Sequence, residues 1–349
     1  MRRTCRRCAR RSRRRRISRV LLVRLDGIGD ALVCAPLVAA LRDAGHALGV
    51  VLTTRNREAF AQRTFERVHT VERIPWPRHG STPESWARAL FEIRSAAYDV
   101  ALIVSEEPDA YLLPREAGIA RRIGFVNGFA KPFKTLQYGA SLSRAIVRPA
   151  SREGAREHEV ETIFRLGAGL CAESAPTRDL ARLRPLVLDA EAPFHGKIVV
   201  QLSAKFAGEG LDAAAFAALT QAFVRGGDEP LCLCDDVALA DAVIARGGCA
   251  TRVAASLPEW KAALAGARAV VTPDSGAAHV AGMLGVPCVA ILPPVTGAAH
   301  DLLRWKPWTG PSRTLVAVEL AVPYGAHVPE FVARVRAEAA ALSRAAIAS

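Results

Sequence analysis

No stretch of the 349 residues reaches the roughly 18 to 20 uninterrupted apolar residues that a membrane-spanning helix needs. The cysteines lack any framework of spacings. Cys5 and Cys8 form a lone CxxC with no second pair at zinc-finger distance, and Cys34, Cys171, Cys232, Cys234, Cys249 and Cys288 are scattered through apolar or loop contexts. That speaks against a disulfide-stapled secreted domain and against a structural metal, and it points to a reducing cytoplasm. Acidic residues are missing from the start of the sequence: residues 2 to 19 hold eleven arginines and no acid. Apolar residues are missing there too, so residues 1–16 cannot be a signal peptide.

Those arginines account for the net charge of +13, since setting them aside leaves 36 basic against 34 acidic residues. The body is near neutral, and no nucleic-acid partner is expected of it. Residues 1–16 read as a basic, disordered tail. Arg-rich arms bind polyanions, and the anionic inner leaflet of a membrane is one such surface.

With half its residues hydrophobic, the chain can bury a large core in two domains of ordinary size. The body repeats strand, loop and helix. "RVLLVRL" (19–25), "ALGVVLTT" and "YDVALIVS" (98–105) are apolar runs of the kind buried on both faces of a parallel sheet. Between them, "ALVCAPLVAALRDAG" and "PESWARALFEIRSAA" have helical periodicity, the first ending at Gly45. The rhythm breaks near 180–196 and restarts with "KIVVQLS", "DAAAFAALTQAFVRGG" and "EPLCLCDD". The expected fold class is α/β, with two Rossmann-like, doubly wound halves. Their bounds are 17–185 and 196–328, with a linker at 186–195 and a last helix, 329–349, packing back across that linker.

Two turns stand where such sheets collect ligands. "RLDGIGDAL" carries Gly27-x-Gly29 after a strand, but Leu32 fills the third small-residue position. No acid follows the second strand either, so a nicotinamide site is disfavoured. Asp30, at the start of the helix, is either a first-turn acid complementing the dipole or a general base at a cleft mouth. In "VVTPDSGAAHVAGMLGVP", Asp274-Ser275 offers an N-cap for a helix opening at Gly276. Its small residues leave a helix N-terminus open to phosphate. His279, one turn in, is either a satisfied helical histidine or a phosphate donor. No second His or Cys stands at i+4, so no metal site is expected there.

Together these stretches resemble glycosyltransferase family 9, the ADP-heptose:lipopolysaccharide heptosyltransferases. "VLLVRLDGIGDALVCAPLVAALR" is similar to that family's opening strand and G-D turn, and "VVTPDSGAAHVAGMLGVPCVAIL" to its D-[ST]-G-x-x-H signature. "REHEVETIFRLGAGL" (156–170) resembles its central H-E-V-E segment, and "ARRIGF" (120–125) the short strand before it. The resemblance implies a GT-B architecture with two domains facing across a cleft, acceptor on the N-terminal side and donor on the C-terminal side. It implies inverting, metal-independent transfer without a cofactor, and a lipopolysaccharide-core acceptor at the inner face of the inner membrane. By position Asp30 matches the catalytic base. Asp274, Ser275, Gly276, Ala277 and His279 match the loop around the donor's diphosphate, and Asp235 or Asp236 the ribose carboxylate, with Asp236 taken as the first choice.

Two positions depart from the family's pattern. The strand that often ends in H-P-G here ends Gln201-Leu202-Ser203-Ala204. The expected phosphate-neutralising lysine is replaced near Glu209, leaving Lys205, four residues upstream, as the candidate for its role. The rival readings are a GT-B enzyme with another nucleotide sugar, a nucleotide-sugar epimerase, and a polyanion-binding protein acting through its arm.

Overall fold

The computed structural model describes residues 17–74, 80–148, 157–254, 256–292, 303–316 and 328–347. The arginine-rich residues 1–16, with Cys5 and Cys8, lie outside them.

The first half is a parallel sheet of β1 (Arg19–Val23), β2 (Ala47–Thr53), β3 (Arg67–Val71), β4 (Val100–Ile103), β5 (Arg121–Val126) and β6 (Arg144–Val147), in the order β3-β2-β1-β4-β5-β6. The second is a parallel sheet of β7 (Ile198–Gln201), β8 (Leu231–Cys234), β9 (Thr251–Val253), β10 (Ala269–Pro273), β11 (Cys288–Leu292) and β12 (Ser312–Val316), in the order β12-β11-β10-β7-β8-β9. Both are doubly wound, and strand order reverses between β1 and β4 in one and between β7 and β10 in the other. Clefts for ligands open at those switch points, beyond the carboxyl ends. The two turns singled out in the sequence follow β1 and β10, one on each switch point.

The helices of the first half are α1 (Ile28–Leu32), α2 (Ala35–Asp43), α3 (Pro83–Ala96), α4 (Pro108–Glu116), α5 (Pro132–Gly139) and α6 (Glu159–Phe164). The single helix expected after the first turn is two helices. Pro36 has no N–H, and its ring would clash with the carbonyl of Leu32, so the backbone breaks at Val33–Cys34 and restarts. Gly45, at φ +80°, then ends α2 in the left-handed conformation that glycine adopts without strain.

α7 (Leu180–Val187) lies between the sheets and packs on α2 and on α11 (Gly276–Leu284). Arg184 Nη1 donates to Leu284 O at 2.8 Å. One apolar cluster runs without a break from Leu37 and Leu41 of α2, through Leu183 and Leu186 of α7, into Val280, Met283 and Leu284 of α11. The second half is completed by α8 (Ala213–Arg225), α9 (Val237–Ala245), α10 (Leu257–Ala265) and α12 (Val328–Ile347). The last helix, expected to pack across the linker, lies along the second sheet. Phe331, Val332, Val335 and Ala339 are buried in the second sheet's own core, against α8 and β10 to β12. An apolar stripe of this width seals the nearest open sheet face.

The halves are also pinned by a charge. Lys261 of α10 is 1% exposed, and its ammonium donates to Glu58 O (2.8 Å), Ala59 O (3.3 Å) and Val187 O (2.6 Å). Burial pushes its pKa down to about 8, against the pull of Asp189 and Glu58. Among the described residues no helix is long and apolar enough to cross a membrane.

Candidate active site

β1 ends in a buried arginine that organises the first turn. Arg24 Nε pairs with Asp26 Oδ2 at 3.1 Å, Nη2 with Asp30 Oδ1 at 2.7 Å, and Nη1 donates to Val104 O at 2.8 Å. Asp26 is held further by Ser105, whose hydroxyl donates to Oδ2 at 2.6 Å. Both side chains stay partly exposed, Asp26 at 26% and Asp30 at 34%, but Ser105 and Arg24 share one oxygen of Asp26 and tie it to β1 and β4, while Asp30 stands on α1. Asp30 Oδ2 also accepts from Gly27 N at 3.2 Å, which fixes the carboxylate over the first turn of α1. Below it, burial pushes the Cys34 thiol up to about 12, so this cysteine stays protonated and is no nucleophile.

On the facing side, Ser275 N-caps α11: its hydroxyl accepts from Ala277 N at 3.3 Å and meets Thr272 Oγ1 at 2.8 Å. Lys205, after β7, reaches the same loop and donates to both the carbonyl and the carboxylate of Asp274, each at 3.0 Å. His279 is 4% exposed, stands edge-on to Trp305 with centroids 5.9 Å apart, and leaves Nδ1 buried without a partner among the described residues. Burial lowers its pKa against the opposing pull of Asp274 and Asp30, so the imidazole is neutral and can donate one N–H.

The two turns touch. A Cβ on Gly29 would lie 2.5 Å from His279 Cδ2 and 3.4 Å from Gly276 Cα, so only glycine lets α1 approach α11 this closely. Asp30, Asp274, Ser275, Gly276, Ala277, His279 and Lys205 are thus brought to one cleft.

Beside the α11 N-terminus lies a pocket of about 360 Å³, in the range of small-molecule sites. Gln201 and Trp260 line it, with Trp260 Nε1 donating to Gln201 Oε1 at 2.7 Å. Ile28 reaches it from the first domain. Of the two carboxylates expected at the ribose, Asp235 and Asp236, that of Asp236 caps α9, accepting from Leu239 N at 3.1 Å. Its neighbour Asp235 lines the pocket.

Sequence reasoning missed Arg24, although it stands in the quoted turn. It also missed the pairing of Gln201 with Trp260, which are 59 residues apart and carry no local signal. The H-E-V-E segment forms a second interdomain tie. Glu159 is fully buried between Arg148 and Arg304, with Arg304 Nε at 2.8 Å. His158 Nδ1 accepts from Val160 N, so Nε2 carries the proton and donates to Lys306 O at 2.7 Å. Among the described residues no group of three or more His, Cys, Asp or Glu could hold a metal ion.

A profile of glycosyltransferase family 9 (heptosyltransferase) matches residues 86–321, well over half of the chain. The chain belongs to glycosyltransferase family 9. Solved structures of the family share its fold. A family 9 glycosyl transferase from Veillonella parvula superposes with a TM-score of 0.68 at 16% identity, over 93% of this chain and 97% of that one. The E. coli heptosyltransferase WaaC with ADP gives 0.67 at 19% identity, over 91% and 98%. E. coli ADP-heptose lps heptosyltransferase II gives 0.63 at 17%, over 92% and 99%. No curated protein sequence matches significantly. The fold is GT-B, two α/β domains meeting at their switch points, and the family's chemistry makes this protein a glycosyltransferase.

Proposed function

We infer that the enzyme is an inverting, metal-independent transferase. In this reading it moves a heptose or related sugar from a nucleoside-diphosphate donor, ADP-heptose foremost, to a lipopolysaccharide-core acceptor at the cytoplasmic face of the inner membrane. One observation carries this reading: a fixed, partly exposed carboxylate faces a small-residue helix N-terminus across a glycine-thin contact. Asp30 takes the proton of the acceptor hydroxyl as it attacks the anomeric carbon. The nucleoside diphosphate leaves from the opposite face, and the configuration inverts.

Negative charge then builds on the leaving diphosphate. The N–H groups opening α11, the Lys205 ammonium and a neutral His279 N–H are the donors placed to receive it. Lys205 takes the charge-neutralising part expected of the family's lysine, on release from Asp274. The pocket at Trp260 accepts the nucleoside, with Asp235 at its ribose. A second reading is a donor with a different base: Gln201 and Trp260 satisfy each other, and Gln201 Nε2 donates to Leu202 O at 2.9 Å, so neither side chain is committed to adenine.

The test is incubation with a panel of ADP-, UDP- and GDP-sugars, with and without a lipopolysaccharide-core acceptor, measuring nucleoside diphosphate release. Acceptor-dependent release from ADP-heptose is the expected result. Release confined to another nucleotide sugar supports the second reading, and no release from any donor overturns both.

A further inference from the structure

At the far end of the first sheet the backbone leaves β5 through a 3-10 turn, Gly128–Ala130, and enters α5. The inner side of this unit is anchored. Tyr138 is buried and stacks on Tyr111 with centroids 4.5 Å apart, and Thr135 Oγ1 donates to Gly128 O at 2.9 Å. The outer side is apolar and bare. Phe133, 87% exposed, and Leu136, 74% exposed, stand at i and i+3 on α5, and Phe129, fully exposed, sits on the 3-10 turn just before it. Val147, 62% exposed at the end of β6, extends this apolar patch. Contiguous exposed apolar side chains of this size mark a surface that meets something other than water.

The charge carried by the turn and helix has one sign: residues 128–139 hold Lys131 and Lys134 and no acid. The carboxylates of Glu106 and Glu107, beyond β4, are taken up by Arg148 and Arg73. A bulky apolar patch with a lysine flank matches the interfacial zone of an anionic bilayer, where rings enter the acyl boundary and ammonium groups meet phosphate. A second copy fits less well, since a two-fold contact would set the lysines of one patch beside those of the other.

We propose that the Gly128–Gly139 turn and helix is a docking surface for an anionic lipid bilayer, with Phe129, Phe133 and Leu136 entering the membrane. The turn leaves the same carboxyl edge as Asp30, from β5, two strands from β1, about 10 Å at the usual strand spacing. Docking there would hold the acceptor side of the cleft against a lipid-anchored substrate. The proposal rests on the reading of a membrane-anchored acceptor, and because its test needs no nucleotide sugar the two can fail separately.

The arginine-rich first 16 residues would also bind anionic vesicles, so the readout must report the patch itself. Full-length Phe133→Trp is mixed with phosphatidylglycerol vesicles bearing brominated acyl chains. The expected result is bromine quenching beyond that of the five native tryptophans in the unmodified protein. In parallel, the full-length triple variant Phe129→Ser, Phe133→Ser, Leu136→Ser should lose roughly tenfold or more of its vesicle partitioning at high salt. Lys131→Ala with Lys134→Ala should weaken binding at low salt only. If vesicle-bound Phe133→Trp quenches no more than the unmodified protein, attachment runs through another surface and the proposal fails. A lipid-free dimer that the triple variant abolishes would make a second copy the occupant and equally overturn it. Should the triple variant not fold, the tryptophan readout decides alone.

Discussion

Asp30 holds its position through Arg24, and that pairing sets what each substitution should do. Asp30→Asn keeps the size of the side chain and the Gly27 contact but cannot take a proton. It should lower turnover by about 10²- to 10⁴-fold while donor affinity, read by calorimetry, stays within a few-fold. Near-normal turnover would remove Asp30 as the base. Gly29→Ala acts across the cleft, because its methyl group would meet the His279 ring at 2.5 Å. It should weaken donor binding and lower the unfolding midpoint together, whereas a change in turnover alone would show that the contact can open freely. At this scale the sequence is half legible. The residues of the two turns can be read from their position after strands. What cannot be read is the division of labour between Asp26 and Asp30, because Ser105, 79 residues away, settles it from outside the turn.

The buried strands β1, β2, β4, β7, β8, β10 and β11 announce themselves as apolar runs. β6 and β9 do not: their residues are largely exposed or half-buried, and as edge strands each has one neighbour and no continuous apolar signature. The final helix is recognisable by its stripe, but a stripe does not name its partner, and the open face of the second sheet takes it. α10 reads as an ordinary amphipathic helix, yet it carries Lys261 into the joint. Lys261→Met should remove the ammonium and strand three backbone carbonyls, costing on the order of 1 to 3 kcal/mol in chemical denaturation. An unchanged midpoint would mean that water replaces the lysine at no cost.

For the whole molecule, buried neutral histidines contribute to the loss of stability in acid. Burial lowers the pKa of His158 from the ordinary 6.5 to about 4, against the hydrogen bond it gives Lys306 O. Between those values the unfolded state binds the extra proton, so the stabilisation is complete above pH 6.5 and is lost as pH falls towards 4. The loss is about 3 kcal/mol for this residue. His279, lowered in the same direction, adds to it. Denaturation midpoints measured from pH 7 to 4 should fall, and should fall less steeply in His158→Gln. Parallel slopes would acquit His158.

The Gly29–His279 contact bears on how such an enzyme could be rebuilt. The two halves look like interchangeable cassettes, each with its own sheet and its own switch point. Their meeting surface is instead made of matched exceptions: a missing side chain on one half opposite a ring on the other, and a lysine on the second half opposite bare carbonyls on the first. Grafting a donor half from a relative of 16 to 19% identity would pair an unselected surface with Gly29 and with the Glu58–Ala59 carbonyls. With the nucleoside in the proposed pocket, donor specificity is better transplanted there, at Gln201, Asp235 and Trp260, than domain by domain.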